Sequence, residues 1–381
     1  MLEALLANPD VVVPLVGALV GIASSLVGTF LVLRGSSLLA DAVSHSVLLG
    51  IVLVYLITGN QYSPFFIVGA AAVGLVTVFL TELLTRSRRV KADAAIGLVY
   101  PFLFAVAVLL INLFARNVHI DTDAVLLGEI GFAWLDTARV GGLEVPNALL
   151  TIGGATLLNA AFVGLFYKEL KLATFDPGLA AALGFSPALL YYLLLGLTSV
   201  TAVTAFDAVG AVLLVAFVIV PPAAAHLLTD KLWKTLALGA GVAVGSSVLG
   251  YGSAVALNVS IGGMMALWTG VFLLLAFLFG SRYGLLARSA ARRRQGRENA
   301  ARLLVGHLYH HERTAEAVQE NTAAALREHL RWDAAKVAQV TAHAQTEGLI
   351  GPTGLQAGDR LTLTDTGRRS AREVWEPWRN A

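Results

Sequence analysis

The stretch Ser36–Thr58, SSLLADAVSHSVLLGIVLVYLIT, decides the fold class because it is apolar and long enough to cross a bilayer. It also carries Asp41 and His45, which lie one above the other on a single helix face. Ionisable groups in a spanning helix usually face a bundle interior, a partner group or a water-filled path. A carboxylate and an imidazole are also ligands that Mn²⁺ and Zn²⁺ accept. We therefore expect Asp41 and His45 to lie on a metal path through a membrane.

The composition of the whole chain agrees with a membrane location. Of its 381 residues 57% are hydrophobic and 14% are charged, whereas a soluble domain carries about 25% charged residues. The absence of cysteine excludes disulfides and thiolate metal sites. No Gly-Lys dipeptide is present, so any ATP hydrolysis must come from a separate polypeptide. We expect a transport protein of the cell membrane rather than an enzyme, with no permanently bound cofactor.

Apolar segments of spanning length recur along the chain at about nine places, which predicts an all-α polytopic membrane protein. They are Val11–Leu33, Ser37–Thr58, Ser63–Leu84, Ala92–Ala115, Asn147–Tyr167, Pro187–Thr204, Ala208–Leu228, Leu236–Leu257 and Gly262–Gly280.

Basic residues predict the orientation, since they concentrate in cytoplasmic loops. They fall on one side if the N-terminus lies outside and the C-terminus lies in the cytoplasm. These residues are Arg34, Arg86, Arg88, Arg89, Lys91, Lys168, Lys171, Lys231 and Lys234. The segment 116–146 then lies outside. Its acids, including Asp121 and Asp123, could raise the local cation concentration, but a solvated loop that docks an external receptor is the favoured interpretation.

The chain changes character near Arg282. We assign residues 1–283 to a transmembrane domain and the arginine-rich stretch 284–298 to a basic linker suited to anionic headgroups. Residues 299–381 have the composition of a soluble protein and are predicted to form a small cytoplasmic domain.

The loop after the fifth span has the signals of a short helix. Asp176 is a candidate N-cap with Pro177 at the first helical position. Gly184 can close the helix, and Pro187 prevents its simple continuation. From these residues alone, a connecting loop is favoured over a docking element.

Pro221 and Pro222 predict a helix break shortly before His226, because both lack a backbone donor. His226 could ligate a metal with the help of freed carbonyl oxygens. It could equally be a surface histidine bonded to a nearby carbonyl.

Five stretches together resemble the permease subunit of the ABC-3 family of metal importers. They are LRGSSLLADAVSHSVLLG (33–50), DAAIGLVYPFLFAVAVLLI (93–111), DTDAVLLGEI (121–130), FDPGLAAALGFSP (175–187) and VGAVLLVAFVIVPPAAAHLLTD (209–230). The resemblance implies a homodimer bound inside by two ATP-binding subunits and outside by a metal-binding receptor. It places Asp41 and His45 on the path of the imported ion. It also implies that Ala182, Leu183 and Gly184, in the segment begun by Asp176, form a coupling helix that docks on the ATPase.

The C-terminal part resembles the winged-helix region of iron- and manganese-dependent repressors, with helices at 326–330 and 334–347 and a wing-like hairpin ending LTLTDTGRRSARE. Its basic and acidic residues are equal in number, which disfavours nucleic acid as a partner. His307, His310 and His311 share a predicted helix face and could sense cytoplasmic metal. A polar face that only packs or dimerises is the alternative.

The favoured function is therefore ATP-driven import of a divalent metal by alternating access. The repressor-like tail favours manganese by analogy, while zinc and iron remain alternatives because a histidine and a carboxylate suit all three. Two other classes of function stay open. One is a membrane-tethered metal-responsive regulator, and the other is an ion-coupled transporter without an ATPase.

Overall fold

The computed structural model of the protein describes residues 2–59, 65–114, 128, 130–280, 283–312, 314, 317–352 and 359–375. It divides into two compact units, Met1–Gly284 and Leu285–Ala381. The first unit ends one residue beyond the predicted limit of the transmembrane domain. The predicted outer acids Asp121 and Asp123 lie outside the described residues.

The first unit is built almost entirely of helices. They are α1 (Leu2–Leu6), α2 (Pro9–Leu33), α3 (Ser37–Thr58), α4 (Phe66–Arg86), α5 (Ala92–Phe114), α6 (Asn147–Leu165), α7 (Tyr167–Phe175), α8 (Pro177–Ala182), α9 (Pro187–Leu228), α10 (Leu232–Leu257) and α11 (Ile261–Phe279). Within the described part of the chain, nine segments are long and apolar enough to cross a membrane. This number confirms the sequence prediction, and two of the nine, Pro187–Phe206 and Ala208–Leu228, both belong to α9.

A break at Gly210 divides α9. As a straight rod its 42 residues would measure about 63 Å, more than the roughly 40–45 Å of a whole bilayer. Gly210 has φ 68° and ψ 172°, a conformation that is essentially open to glycine alone. The prediction of a break at Pro221 and Pro222 was wrong, because the helix continues through both prolines to Leu228.

The centre of the unit is formed by α2 and the second half of α9, the two most deeply buried spans. They approach closely where Gly28 lies against the backbone carbonyl of Val218. The Val218 carbonyl cannot accept the usual helical hydrogen bond from the residue four positions later, because that residue is Pro222, which has no N–H. A second close approach joins α2 to α10, where Gly21 faces Ala243.

A β-hairpin precedes α6 within the predicted outer segment. Strand β1 (Thr137–Val140) pairs antiparallel with β2 (Leu143–Pro146). The turn consists of Gly141 and Gly142, with φ of 59° and 89°, the left-handed pair that a two-residue hairpin turn requires. The interpretation of this segment as a solvated loop omits the hairpin, although Gly-Gly between two short β-prone runs is a hairpin signal.

The second unit contains α12 (Leu285–His311), α13 (Ala317–Glu320), α14 (Ala323–His329), α15 (Ala334–Thr346) and α16 (Asp365–Trp375). Its core includes Leu304, Leu308, Leu326 and Val340. Residues 284–298 were predicted to form a basic linker, but they lie largely in the first half of α12. The end of the predicted wing also differs, because DTGRRSARE is helical in α16, while Ile350 and Leu363 form an isolated antiparallel bridge.

Candidate functional site

The membrane pair of Asp41 and His45 lies on one face of α3, as its spacing predicts. His45 Nε2 is 3.4 Å from Asp41 Oδ1. The side chains are 30% and 31% exposed for His45 and Asp41, respectively. The two groups therefore form a joined donor pair that remains accessible at the surface of a single chain.

Two aromatic rings of α5 pack against His45. The imidazole stacks on Tyr100 with 5.7 Å between ring centroids and 24° between planes. Phe104 meets it edge-on at 6.4 Å and 83°. Sequence reasoning missed both residues, because aromatic side chains in an apolar span carry no polar signal. The packing restricts rotation of the His45 ring and so fixes the direction of its nitrogens.

The pair supplies two ligand atoms, which is fewer than a divalent transition metal needs. Among the side chains that the structure describes, no third histidine or carboxylate joins it in a compact group. Ser44, three residues after Asp41 on α3, is buried and donates its hydroxyl to the Asp41 carbonyl at 2.8 Å. A metal held here would need water or a second polypeptide to complete its coordination.

His226 lies elsewhere on the unit, near the end of α9. It is exposed and stacks on Tyr283 with ring centroids 6.5 Å apart. Tyr283 in turn donates its hydroxyl to Asp230 at 3.0 Å. His226 forms no compact ligand group with Asp41 and His45 among the described side chains.

The short helix α8 forms with the predicted cap. Asp176 Oδ1 accepts a hydrogen bond from the Leu179 backbone N–H at 2.9 Å, which confirms the N-cap. The helix ends at Ala182, and Gly184 follows with φ 87°. Ala180 is fully buried in the core, whereas Leu183 is 60% exposed. The helix is thus anchored on one side and presents apolar side chains on the other.

The histidines of the second unit are only partly arranged as predicted. The rings of His307 and His311 are 4.8 Å apart, while His310 is exposed and meets His311 edge-on at 5.0 Å. The structure brings His307 to Glu320 and His329 instead, with one ligand atom of each within 4.8 Å of the others. Sequence spacing could not reveal these two partners, because they belong to other helices.

Comparison with known proteins agrees with the architecture of the first unit. Residues 11–280 match the family model of the ABC 3 transport family. The manganese transport system membrane protein MntD of Bacillus subtilis is 48% identical over 273 residues, covering 71% of this chain and 92% of that protein. The zinc transport system membrane protein TroD of Treponema pallidum is 44% identical over 340 residues, covering 89% and 92%.

A solved structure is similar as well. The structure described as PsaBC from Streptococcus pneumoniae in complex with Fab superposes with a TM-score of 0.60 at 29% identity, covering 71% of this chain and 92% of that one. Nine apolar segments and these relatives establish a multi-pass protein of the cell membrane. The chain is a membrane protein of the ABC 3 transport family.

Proposed function

We propose that this chain is the permease subunit of an ATP-driven importer for a divalent transition metal, with manganese favoured and zinc or iron as alternatives. The observation that carries the proposal is the Asp41–His45 pair, an oxygen and a nitrogen donor 3.4 Å apart inside a spanning helix. Ionisable groups at such a position are costly unless they serve a path or a partner. The manganese and zinc transport relatives support the substrate class.

A homodimer would complete the path. In one chain nearly a third of each side chain of the pair is exposed, and exposure of such groups to hydrocarbon is unfavourable. A second copy would cover this face and could contribute the same two donors, giving a divalent ion four protein ligands. Alternating access would then open the shared site first to an external metal-binding receptor and later to the cytoplasm.

We assign energy coupling to α8 and the residues that follow it. Leu179, Leu183 and Phe185 are 48%, 60% and 40% exposed, respectively. Apolar side chains at the end of an anchored helix are suited to a groove on an ATP-binding subunit, which would be a separate chain. This role places Asp176, Ala182 and Gly184 at the same contact. The coupling role requires this face to be cytoplasmic. The orientation predicted from the basic residues, among them Lys168 and Lys171 of this loop, agrees with that requirement.

We further propose that residues 299–381 form a winged-helix-like cytoplasmic domain. The support is the pair α14 and α15, separated by a turn, followed by the antiparallel bridge between Ile350 and Leu363. The equal acidic and basic content favours regulation or dimer packing over DNA binding.

Metal uptake tests the importer. Cells that make Asp41→Ala or His45→Ala chains are expected to lose most uptake of radioactive Mn²⁺ at unchanged membrane levels of the protein. Mn²⁺ uptake is measured in parallel for two comparison variants. His226→Ala removes a histidine outside the pair, and Tyr100→Phe keeps the ring that stacks on His45. Normal uptake by both Asp41→Ala and His45→Ala would refute the path.

Reconstitution separates the importer from the other two classes. Proteoliposomes that contain the chain together with its ATP-binding subunits, supplied with the metal-binding receptor, should accumulate Mn²⁺ only with ATP. Accumulation without those subunits would favour an ion-coupled transporter. Specific DNA binding by the full chain, without transport, would favour a tethered regulator.

A further inference from the structure

Three side chains of the second unit converge from three helices. His307 lies near the end of α12, Glu320 ends α13, and His329 ends α14. One ligand atom from each lies within 4.8 Å of the other two. The group belongs to the second unit, whereas Asp41 and His45 belong to the first.

The distances are close to those of a coordinated ion. Ligand atoms around a tetrahedral zinc, at bonds of about 2.1 Å, are roughly 3.4 Å apart. His329 Nδ1 is 3.3 Å from Glu320 Oε2 already. A limit of 4.8 Å for the remaining pairs means that they need to close by no more than about 1.4 Å. Side-chain rotation alone can supply such a movement.

The tautomer of His307 leaves one ring nitrogen able to accept a metal. Its Nε2 lies 3.1 Å from the backbone carbonyl of Glu320. A carbonyl only accepts, so Nε2 donates and the other ring nitrogen keeps its lone pair. A histidine that donates one N–H to a carbonyl and ligates with the other nitrogen is the usual arrangement at metal sites.

A third histidine, His311, lies beside the group and could supply a fourth ligand atom. The ring of His311 is 4.8 Å from that of His307. Its Nδ1 is buried and has no hydrogen-bond partner among the described residues. A buried imidazole nitrogen without a partner is unfavourable, and ligation would remove this cost.

We propose that His307, Glu320 and His329, with His311 as a fourth ligand, bind a divalent first-row transition metal ion in the second unit. Nitrogen and carboxylate donors suit Zn²⁺ and Mn²⁺ and disfavour Cu⁺. The affinity order predicts tighter binding of Zn²⁺ than of Mn²⁺. The side chain of His329 is 43% exposed, so an ion can enter from solvent.

Metal binding would fasten α12, α13 and α14 to one another. If the chain imports metal, the site would report the cytoplasmic concentration of the imported ion, and this regulatory role rests on the proposed function. The binding site itself does not depend on transport.

Binding by the full-length chain in detergent tests the inference, using an Asp41→Ala/His45→Ala background that removes the membrane pair. Zn²⁺ affinity is measured by competition with a chromogenic chelator, and Mn²⁺ binding by the paramagnetic signal of the free ion. We expect one tight Zn²⁺ per chain and weaker Mn²⁺. Glu320→Gln and His329→Gln should each weaken Zn²⁺ binding at least about tenfold. His343→Ala removes a histidine outside the group and should leave the affinity unchanged.

Amide hydrogen exchange provides a second readout. Zn²⁺ should slow exchange in α13 and α14 of the background protein, and the two glutamine variants should lose this protection while α15 keeps its exchange rates. Unchanged Zn²⁺ affinity and protection in both variants would overturn the site. The two proposals can fail separately. Normal Mn²⁺ uptake by the Asp41→Ala and His45→Ala chains would refute the importer and leave the Zn²⁺ site standing. Zn²⁺ affinity unchanged by Glu320→Gln and His329→Gln would refute the site and leave the importer standing.

Discussion

The contact between Gly21 of α2 and Ala243 of α10 tests how the centre of the membrane unit is packed. A Cβ atom placed on Gly21 would lie 2.7 Å from Ala243 Cβ and 3.3 Å from Phe217 Cε1. Non-bonded carbons pack at about 3.5–4.0 Å, so Gly21→Ala requires the two helices to separate by roughly 0.8–1.3 Å. Ala243 and Phe217 are fully buried, and neither can turn toward open space. Overpacking of this kind costs about 1–3 kcal/mol.

The exchange of the two residues gives the matched test. Gly21→Ala alone should lower the free energy of unfolding by about 1–3 kcal/mol, whereas Gly21→Ala/Ala243→Gly moves the methyl group across the contact and should recover most of that loss. Gly153→Ala on α6 is the control, since among the described residues no atom beyond the backbone of its own helix lies within 4 Å of the added Cβ. Unfolding is followed by tryptophan fluorescence during titration with SDS. A Gly21→Ala protein as stable as Gly153→Ala, or a double variant no better than Gly21→Ala, would refute this packing.

Three further substitutions have defined outcomes. Asn159→Ala removes hydrogen bonds of 3.1 Å to the Ala23 carbonyl and 2.7 Å to Thr201 Oγ1. The same SDS titration should show a loss of about 1–2 kcal/mol, and unchanged stability would contradict these bonds. Gly210→Ala forces a side chain into a glycine conformation and should cost about 1–3 kcal/mol; a crystal structure of the variant with an unchanged break and full stability would contradict the assigned strain. Asp176→Ala should destabilise α8 by about 1 kcal/mol and speed exchange of its first amides, while Asp176→Asn, which keeps a capping oxygen, should differ little from the wild-type chain.

The sequence predicted best what depends on local composition. The spans follow from length and hydropathy, and the cap at Asp176 follows from side-chain chemistry within three residues. The Asp41–His45 pairing is set by helix periodicity alone. Their aromatic neighbours on α5 depend on how two helices pack, which periodicity does not specify.

The sequence predictions that failed did so for physical reasons. Two adjacent prolines suggested a broken helix, yet close backbone packing at Gly28 and Val218 accommodates the stretch, and the break lies at the residue able to adopt φ 68°. The histidines on α12 indicated a metal-binding face from their spacing. Glu320 and His329 were missed because only tertiary packing of the short helices brings them to His307.

The exposed leucines and phenylalanine around α8 have a consequence for biosynthesis. Leu179, Leu183 and Phe185 lie outside the nine segments able to span a membrane, and they are 48%, 60% and 40% exposed in the described part of the chain. If ATP-binding subunits cover this surface, as proposed above, a chain made in excess over them would leave it open to chaperones and membrane proteases. Balanced synthesis of the subunits would protect the chain, and co-expression is the rational route to a homogeneous preparation.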